Sequence, residues 1–190
     1  MASGSPLAQQ LSEQLDWHWS TAVRPRLADL SDDENFWEPA PGCWSVRPRD
    51  AAVPGPQPGS GPWTVDFALP EPDPPPVTTI AWRLAHVIVG VFGMRAARHF
   101  GGRPMNYDDV VYAGTADGAL AQLDETYTAW SAGVRDLDDD ALARPVGPAE
   151  GGWAEHPMID LVLHINREAI HHAAEILLLR DLYRARRTGG

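Results

Sequence analysis

The sequence contains one cysteine, Cys43, and no lysine. A single cysteine excludes a disulfide framework within the chain and fits a reducing compartment. It leaves two interpretations of Cys43, a loop thiol or a catalytic nucleophile, and we favour the loop thiol. All 15 basic residues are arginine and the formal net charge is -11, so the chain has little of the clustered positive charge that binds a nucleic-acid backbone. We therefore expect no nucleic-acid partner.

Long apolar runs are also absent from the sequence. None approaches the roughly 18 residues of a membrane span, and the N-terminal residues lack the basic and then apolar pattern of a secretory signal. We therefore expect a cytoplasmic protein with no membrane partner. The 190 residues, of which 44% are hydrophobic and 22% charged, are typical of a globular protein. They predict a single domain over residues 1–190.

Four segments carry apolar residues at three- and four-residue steps, at about residues 7–30, 78–99, 117–137 and 157–186. Thr78 or Thr79 can cap the second segment, and Asp117 can cap the third. Residues 48–76 hold most of the prolines, which excludes a long helix or a central strand there. No segment alternates convincingly as a strand would. The sequence therefore predicts an all-α four-helix bundle with a long Pro/Gly-rich connection between its first two helices.

The fourth predicted helix carries histidines and glutamates on one arc. At 100° per residue, an arc of about 100° contains His164, Glu168, His171, His172 and Glu175. Leucines above and below share this stripe, so we expect it to face the core. Buried imidazoles and carboxylates are compensated most simply by a cation. Glu168 and His172 are four residues apart and can reach the same ion.

His86 is the best candidate for a third ligand, because it lies within an apolar stretch in the middle of the second predicted helix. Taken alone, such a histidine is more often a core residue. On the same face, Gly90 and Gly93 each cost about 1 kcal/mol relative to alanine, which indicates a close helix approach or room for a substrate. Together, His86, Glu168 and His172 form a set with open coordination positions, as in catalytic metal sites.

Three other histidines have alternative roles. His164 and His171 could replace His172 as a ligand or could orient the ligands through hydrogen bonds, and we favour the second role. His18 could enter the substrate pocket or pack between its tryptophan neighbours, and we favour packing. The sequence assigns no catalytic residue.

These segments resemble the DinB-like superfamily of metal-binding four-helix bundles. The matching residues are Leu84-Ala85-His86 and the stretch 164–172, and residues 43–47, Cys-Trp-Ser-Val-Arg, resemble a tryptophan-containing loop of many members. The form with a glutamate is similar to the N-terminal domain of the mycothiol-dependent maleylpyruvate isomerase branch, which binds zinc. The resemblance implies one divalent ion, with zinc first and nickel, iron or manganese as alternatives.

The resemblance also implies a metal-dependent enzyme that activates a low-molecular-weight thiol for transfer to a small electrophile. Metal coordination deprotonates a thiol without a strong protein base. The same open site would serve a metal-dependent hydrolase, and a non-enzymatic helical module or homodimer is a further alternative. A di-iron site needs a second Glu-x-x-His motif, which we do not find. The expected partners are therefore a small thiol and an electrophile, with a homodimer as an option.

Overall fold

A computed structural model describes residues 5–51 and 55–188. The protein is mostly helical. In chain order the α-helices are α1 (Pro6–His18), α2 (Asp32–Asn35), α3 (Ile80–His86), α4 (Met94–Phe100), α5 (Ala116–Arg135), α6 (Asp139–Ala143) and α7 (Met158–Thr188). Two π-helical segments continue α1 and α3, namely Trp19–Val23 and Val87–Gly93. Two 3-10 segments are Arg24–Leu27 and Pro148–Trp153.

The four predicted helices correspond to four long helical stretches in the described part of the chain. Thr79 caps α3, as one of the two predicted choices, with its side chain accepting the N–H of Trp82. The prediction that Asp117 caps the third stretch is wrong. The cap is Thr115, two residues before Asp117, which has an extended backbone and whose side chain accepts the N–H of Gly118. Asp117 lies in the first turn instead, where its negative charge interacts favourably with the positive end of the helix dipole.

The predicted connection, residues 48–76, contains one strand of a small sheet that periodicity did not reveal. Strand β1 (Val46–Pro48) pairs antiparallel with β2 (Trp63–Val65). Each strand has only three residues, too few for a readable alternation. The Arg49 guanidinium donates hydrogen bonds to four carbonyl oxygens of this connection, those of Gln57, Pro58, Gly59 and Gly61. These bonds hold residues 57–61 of the connection beside the end of β1.

The core lies between the long helical stretches. Helix α5 packs against α1, the segment Val87–Gly93 and α4, while α7 packs against α1 and α3. The largest fully buried side chains include Trp130, Phe92 and Leu84. Trp19 stacks on Tyr127 with ring centroids 4.3 Å apart. The contact between α3 and α7 brings the end of α3 beside the middle of α7.

Arg180 anchors the second half of α7. This arginine is 1% exposed, and its Nε lies 2.8 Å from Oε1 of Glu34, whose side chain is 4% exposed. Asp29 accepts a further hydrogen bond from Arg180, and Arg184 contacts both carboxylates. The network joins α7 to α2 and to the turn before it.

Within the described residues, the stretch Ile80–Phe100 is long and apolar enough to cross a membrane by length and composition, with a mean hydropathy of 1.3. The expectation that no stretch reaches this length is therefore corrected. Arg83, His86 and Arg95 interrupt the apolar run in the sequence and conceal it. The core helix of a soluble protein has the same properties, and 67% of this window is buried inside the protein. The absence of a membrane partner stays a prediction.

Candidate metal centre

Three predicted ligands lie together where α3 meets α7. One ligand atom each from His86, Glu168 and His172 lies within 4.8 Å of the other two. Glu168 Oε2 is 3.5 Å from His172 Nε2, because residues four apart on a helix stack one turn above each other. The rings of His86 and His172 meet edge to face, with centroids 4.7 Å apart. The described residues therefore include a group of two imidazoles and one carboxylate that could hold one metal ion.

Glu175 determines which nitrogen of His172 is free. His172 Nδ1 lies 2.7 Å from Glu175 Oε2, and since an ionised carboxylate only accepts, Nδ1–H donates to it. When this imidazole is neutral, its Nε2 carries no proton, and that nitrogen lies on the side of Glu168. Glu175 is held in turn by Arg83, whose Nε is 3.2 Å away. A carboxylate behind a histidine ligand is the usual support for a metal-bound imidazole.

Tyr107 supports His86 in the same way as Glu175 supports His172, through a contact with Nδ1 of the imidazole. Its hydroxyl lies 3.1 Å from His86 Nδ1, so an Nδ1–H that donates to this oxygen leaves Nε2 for a metal. The other face of the imidazole stacks on Trp82, with ring centroids 5.7 Å apart and planes at 11°. Both imidazoles are thus held through Nδ1 by a partner of their own. The arrangement fits a divalent ion that prefers nitrogen ligands.

Gly90 creates the space for that tyrosine. A Cβ at Gly90 would lie 2.1 Å from the Tyr107 hydroxyl. A Cβ at Gly93 would likewise lie 2.1 Å from the sulfur of Met105. Side chains of the loop after α4 fill the space at both glycines, so the observed close approach is that of a loop and not of the helix that was one of the two predicted explanations. Neither glycine lines the pocket beside His86, although Gly93 lines a separate cavity of about 180 Å³.

Burial, followed by the neighbouring His172, Arg83 and Arg95, lowers the pKa of His86 to about 4. His86 is therefore neutral at neutral pH. A neutral imidazole is the form that ligates metals.

A pocket of about 720 Å³ opens directly beside His86. Its lining combines Trp44, residues of the connection on both sides of β2, residues of α3 and the loop after α4, and it includes Phe67, Trp82 and Tyr107. This volume lies within the range of small-molecule sites. The pocket gives a ligand access to the side of the metal centre on which His86 lies.

The arc on α7 is turned relative to the predicted core-facing stripe. His172 is buried, but the His164 and His171 side chains are 44% and 63% exposed. The buried residues Ile165, Ala169 and Ile176 lie about 100–140° from His164 at 100° per residue. Burial of these apolar side chains sets the rotation of the helix, so the polar arc lies at the edge of the interface. His171 still belongs to a second group, with His172 and Glu175, whose ligand atoms lie within 4.8 Å of one another.

Two other candidate site residues, His18 and Cys43, belong to neither of the two groups of possible metal ligands. His18 has a buried Nε2 with no hydrogen-bond partner among the described residues. Cys43 is buried, and its thiol donates to the carbonyl of Ala40 at 2.8 Å. An inert packing thiol is typical of such surroundings.

Sequence reasoning did not assign the two supporting residues, Glu175 and Tyr107. Glu175 was on the predicted arc, and its three-residue spacing from His172 is a signal that could have identified it. Tyr107 lies in a loop and reaches His86 across 21 positions of the chain. No periodic pattern indicates such a contact.

Comparison with known proteins identifies the family of the chain. No curated protein and no solved structure matches the chain. The family model of the DinB superfamily matches residues 14–176, a range that includes all three predicted ligands and both supporting residues. This superfamily is generally metal-binding. The chain belongs to the DinB superfamily.

Proposed function

We propose that this protein is a metal-dependent enzyme, built on a four-helix bundle, that activates a low-molecular-weight thiol for transfer to a small electrophile. The observation that carries the proposal is the group of His86, Glu168 and His172, of which His86 lines a pocket of about 720 Å³. Three protein ligands beside an accessible pocket are typical of catalytic rather than structural metal sites.

The residues of the chain have distinct parts in this proposal. His86, Glu168 and His172 would hold the ion, and zinc is our first choice because imidazole and carboxylate ligands suit it. Nickel, iron and manganese are the alternatives. Tyr107 and Glu175 orient the two imidazoles, and the pocket receives the organic part of the substrate. When bound, the ion would lower the pKa of a coordinated thiol or water and so supply a nucleophile at neutral pH.

The metal site is tested by elemental analysis of protein purified without a histidine tag. We expect about one divalent ion per chain in the wild type and loss of that ion in His86→Ala. His156→Ala is the matched control, because His156 belongs to neither group, and it should retain the ion. Full metal retention in His86→Ala would refute this ligand set. A wild-type protein that contains no metal, and whose melting temperature does not change when a chelator is added, would favour a non-enzymatic module.

The reaction is tested with the metal-loaded protein. We expect small thiols to be consumed with an electrophile in a reaction that His172→Ala abolishes. Hydrolysis of esters or amides with no thiol requirement would favour the hydrolase instead. A cytoplasmic location and a homodimer complete the proposal.

A further inference from the structure

The pocket beside His86 has an aromatic wall that leads to the metal centre. Phe67, Trp44, Trp82 and His86 follow one another with ring centroids 6.4, 5.8 and 5.7 Å apart. The outermost ring, Phe67, is 43% exposed, and Leu69 beside it in the lining is 79% exposed. Large apolar side chains that remain exposed at a pocket mouth mark a binding surface.

The charges in the pocket lining are all of one sign. Its ionisable residues besides His86 and Tyr107 are three carboxylates, Asp66, Glu71 and Asp108, with no arginine. Asp66 is buried and neutralised by Arg47, whose Nε is 2.8 Å away. Glu71 and Asp108 are exposed, and neither carboxylate forms an ion pair within the described residues. The arginines near the metal centre are engaged, Arg83 by Glu175 and Arg95 by Glu150.

The aromatic wall and the negative charge of the lining together indicate which kind of ligand the pocket favours. A flat apolar group gains dispersion and apolar burial against the row of rings. A carboxylate in the same place would face Glu71 and Asp108 with no arginine in the lining to pair with it, and like charges repel. We propose that this pocket binds a flat, apolar group of an uncharged or cationic substrate and discriminates against a substrate that places a carboxylate there.

The inference rests on the proposed function, since it assigns a substrate class to the same site. Two thiols of matched shape test it, 4-(mercaptomethyl)benzamide and 4-(mercaptomethyl)benzoate. The methylene insulates the thiol from the para group, so the two compounds differ mainly in the charge inside the pocket. Isothermal titration calorimetry of the zinc-loaded full chain gives both dissociation constants. We expect the benzoate to bind about tenfold more weakly than the benzamide.

Two double variants test the origin of that ratio. Glu71→Gln with Asp108→Asn should bring the ratio of dissociation constants to about twofold or less. The matched control is Asp139→Asn with Asp140→Asn, two exposed carboxylates outside the pocket lining, which should leave the ratio unchanged. Equal affinities in the wild type, or a ratio that the Glu71 and Asp108 variant does not change, would overturn the inference.

The aromatic wall is tested at its exposed end. Phe67→Ala should weaken binding of the benzamide about three- to tenfold, whereas Leu178→Ala, an exposed apolar residue on α7, should not. Unchanged affinity in Phe67→Ala overturns the assignment of the wall as the binding surface.

The hydroxymethyl counterparts of both compounds separate this inference from the proposed function. If the protein does not coordinate thiols, thiol and alcohol will bind alike, and the proposed function fails. The ratio between the charged and uncharged compounds still reports on the pocket.

Discussion

The Tyr107 hydroxyl lies 3.1 Å from His86 Nδ1 and occupies the volume that a Cβ on Gly90 would fill. A loop residue, a helix glycine and a predicted metal ligand therefore form one unit. The glycine is needed for the tyrosine, and the tyrosine orients the imidazole. The π-helical segment begins immediately after His86, as is frequent at functional sites.

Removal of the tyrosine hydroxyl tests this unit. Tyr107→Phe should weaken zinc binding about tenfold, because His86 loses the partner that orients it. Gly90→Ala should weaken zinc binding at least as much, since its Cβ would displace the hydroxyl. Competition titration with a zinc chelator measures both affinities. In the double variant the effects should be less than additive, and strict additivity would contradict the coupling.

The choice between adjacent histidines on α7 gives a second prediction. His172→Ala should abolish stoichiometric zinc, because His172 is buried and shares the centre with Glu168. His171→Ala should retain it, because that side chain is 63% exposed. Elemental analysis of the two purified variants decides between them. If His171→Ala lost its zinc and His172→Ala did not, His171 rather than His172 would be the ligand.

Glu175 provides a third prediction. Glu175→Gln should weaken zinc binding by about 10- to 100-fold while the three ligands remain, because an amide is a weaker acceptor for His172 Nδ1–H. Glu13→Gln is the matched control, since Glu13 is exposed on α1, and its zinc affinity should equal that of the wild type. Equal zinc affinity in the two variants would show that the carboxylate behind His172 has no part in binding.

The pKa of His86 predicts how pH affects the metal-free protein. The unfolded chain takes up a proton at this residue below its ordinary value of 6.5, whereas the folded chain does so only near 4. The unfolded state thus binds more protons between these limits, and stability falls as pH decreases through that window. This residue contributes at most about 1.4 kcal/mol per pH unit to the slope of the unfolding free energy against pH. Urea unfolding of metal-free protein at several pH values should show a flatter profile for His86→Asn, and an identical slope would contradict the assignment.

The buried ion pair of α7 gives a stability prediction. Arg180→Met should destabilise the fold by about 3 kcal/mol, because the buried Glu34 loses its main partner. Arg26→Ala is the control, since Arg26 pairs with Asp181 at the surface, and it should cost less than about 1 kcal/mol. The free energies of unfolding in urea provide the comparison. Equal losses in the two variants would show that burial adds nothing to the pair.

The sequence was sufficient for features that depend on local periodicity. The long helices begin and end near their predicted positions, because amphipathic spacing and the Thr79 cap are properties of neighbouring residues. The proximity of Glu168 and His172 follows from one turn of helix. The family assignment agrees with these segments.

Features that depend on contacts between distant segments could not be predicted in this way. The rotation of α7 was misjudged because the polar arc, rather than the apolar residues Ile165, Ala169 and Ile176, was placed at the centre of the interface. Tyr107 approaches His86 through a loop whose path the residue pattern does not encode. The pocket wall around Phe67 depends on a connection that the prolines identified only as non-helical.

The π-helical segment Val87–Gly93 has a consequence for the length of the chain at this point. A π-helical turn commonly accommodates one residue more than the regular helix would hold. Deletion of a single residue here would restore regular winding while keeping α4 nearly aligned with α3, because the wider π turn absorbs the extra residue. Phe100 would then keep its place beside Gly133, where a Cβ would lie 2.1 Å from its ring, and beside Trp130, whose ring it contacts. A one-residue deletion in this segment should therefore be tolerated better than one in the regular helix α5, where it would turn the rest of the helix by about 100°.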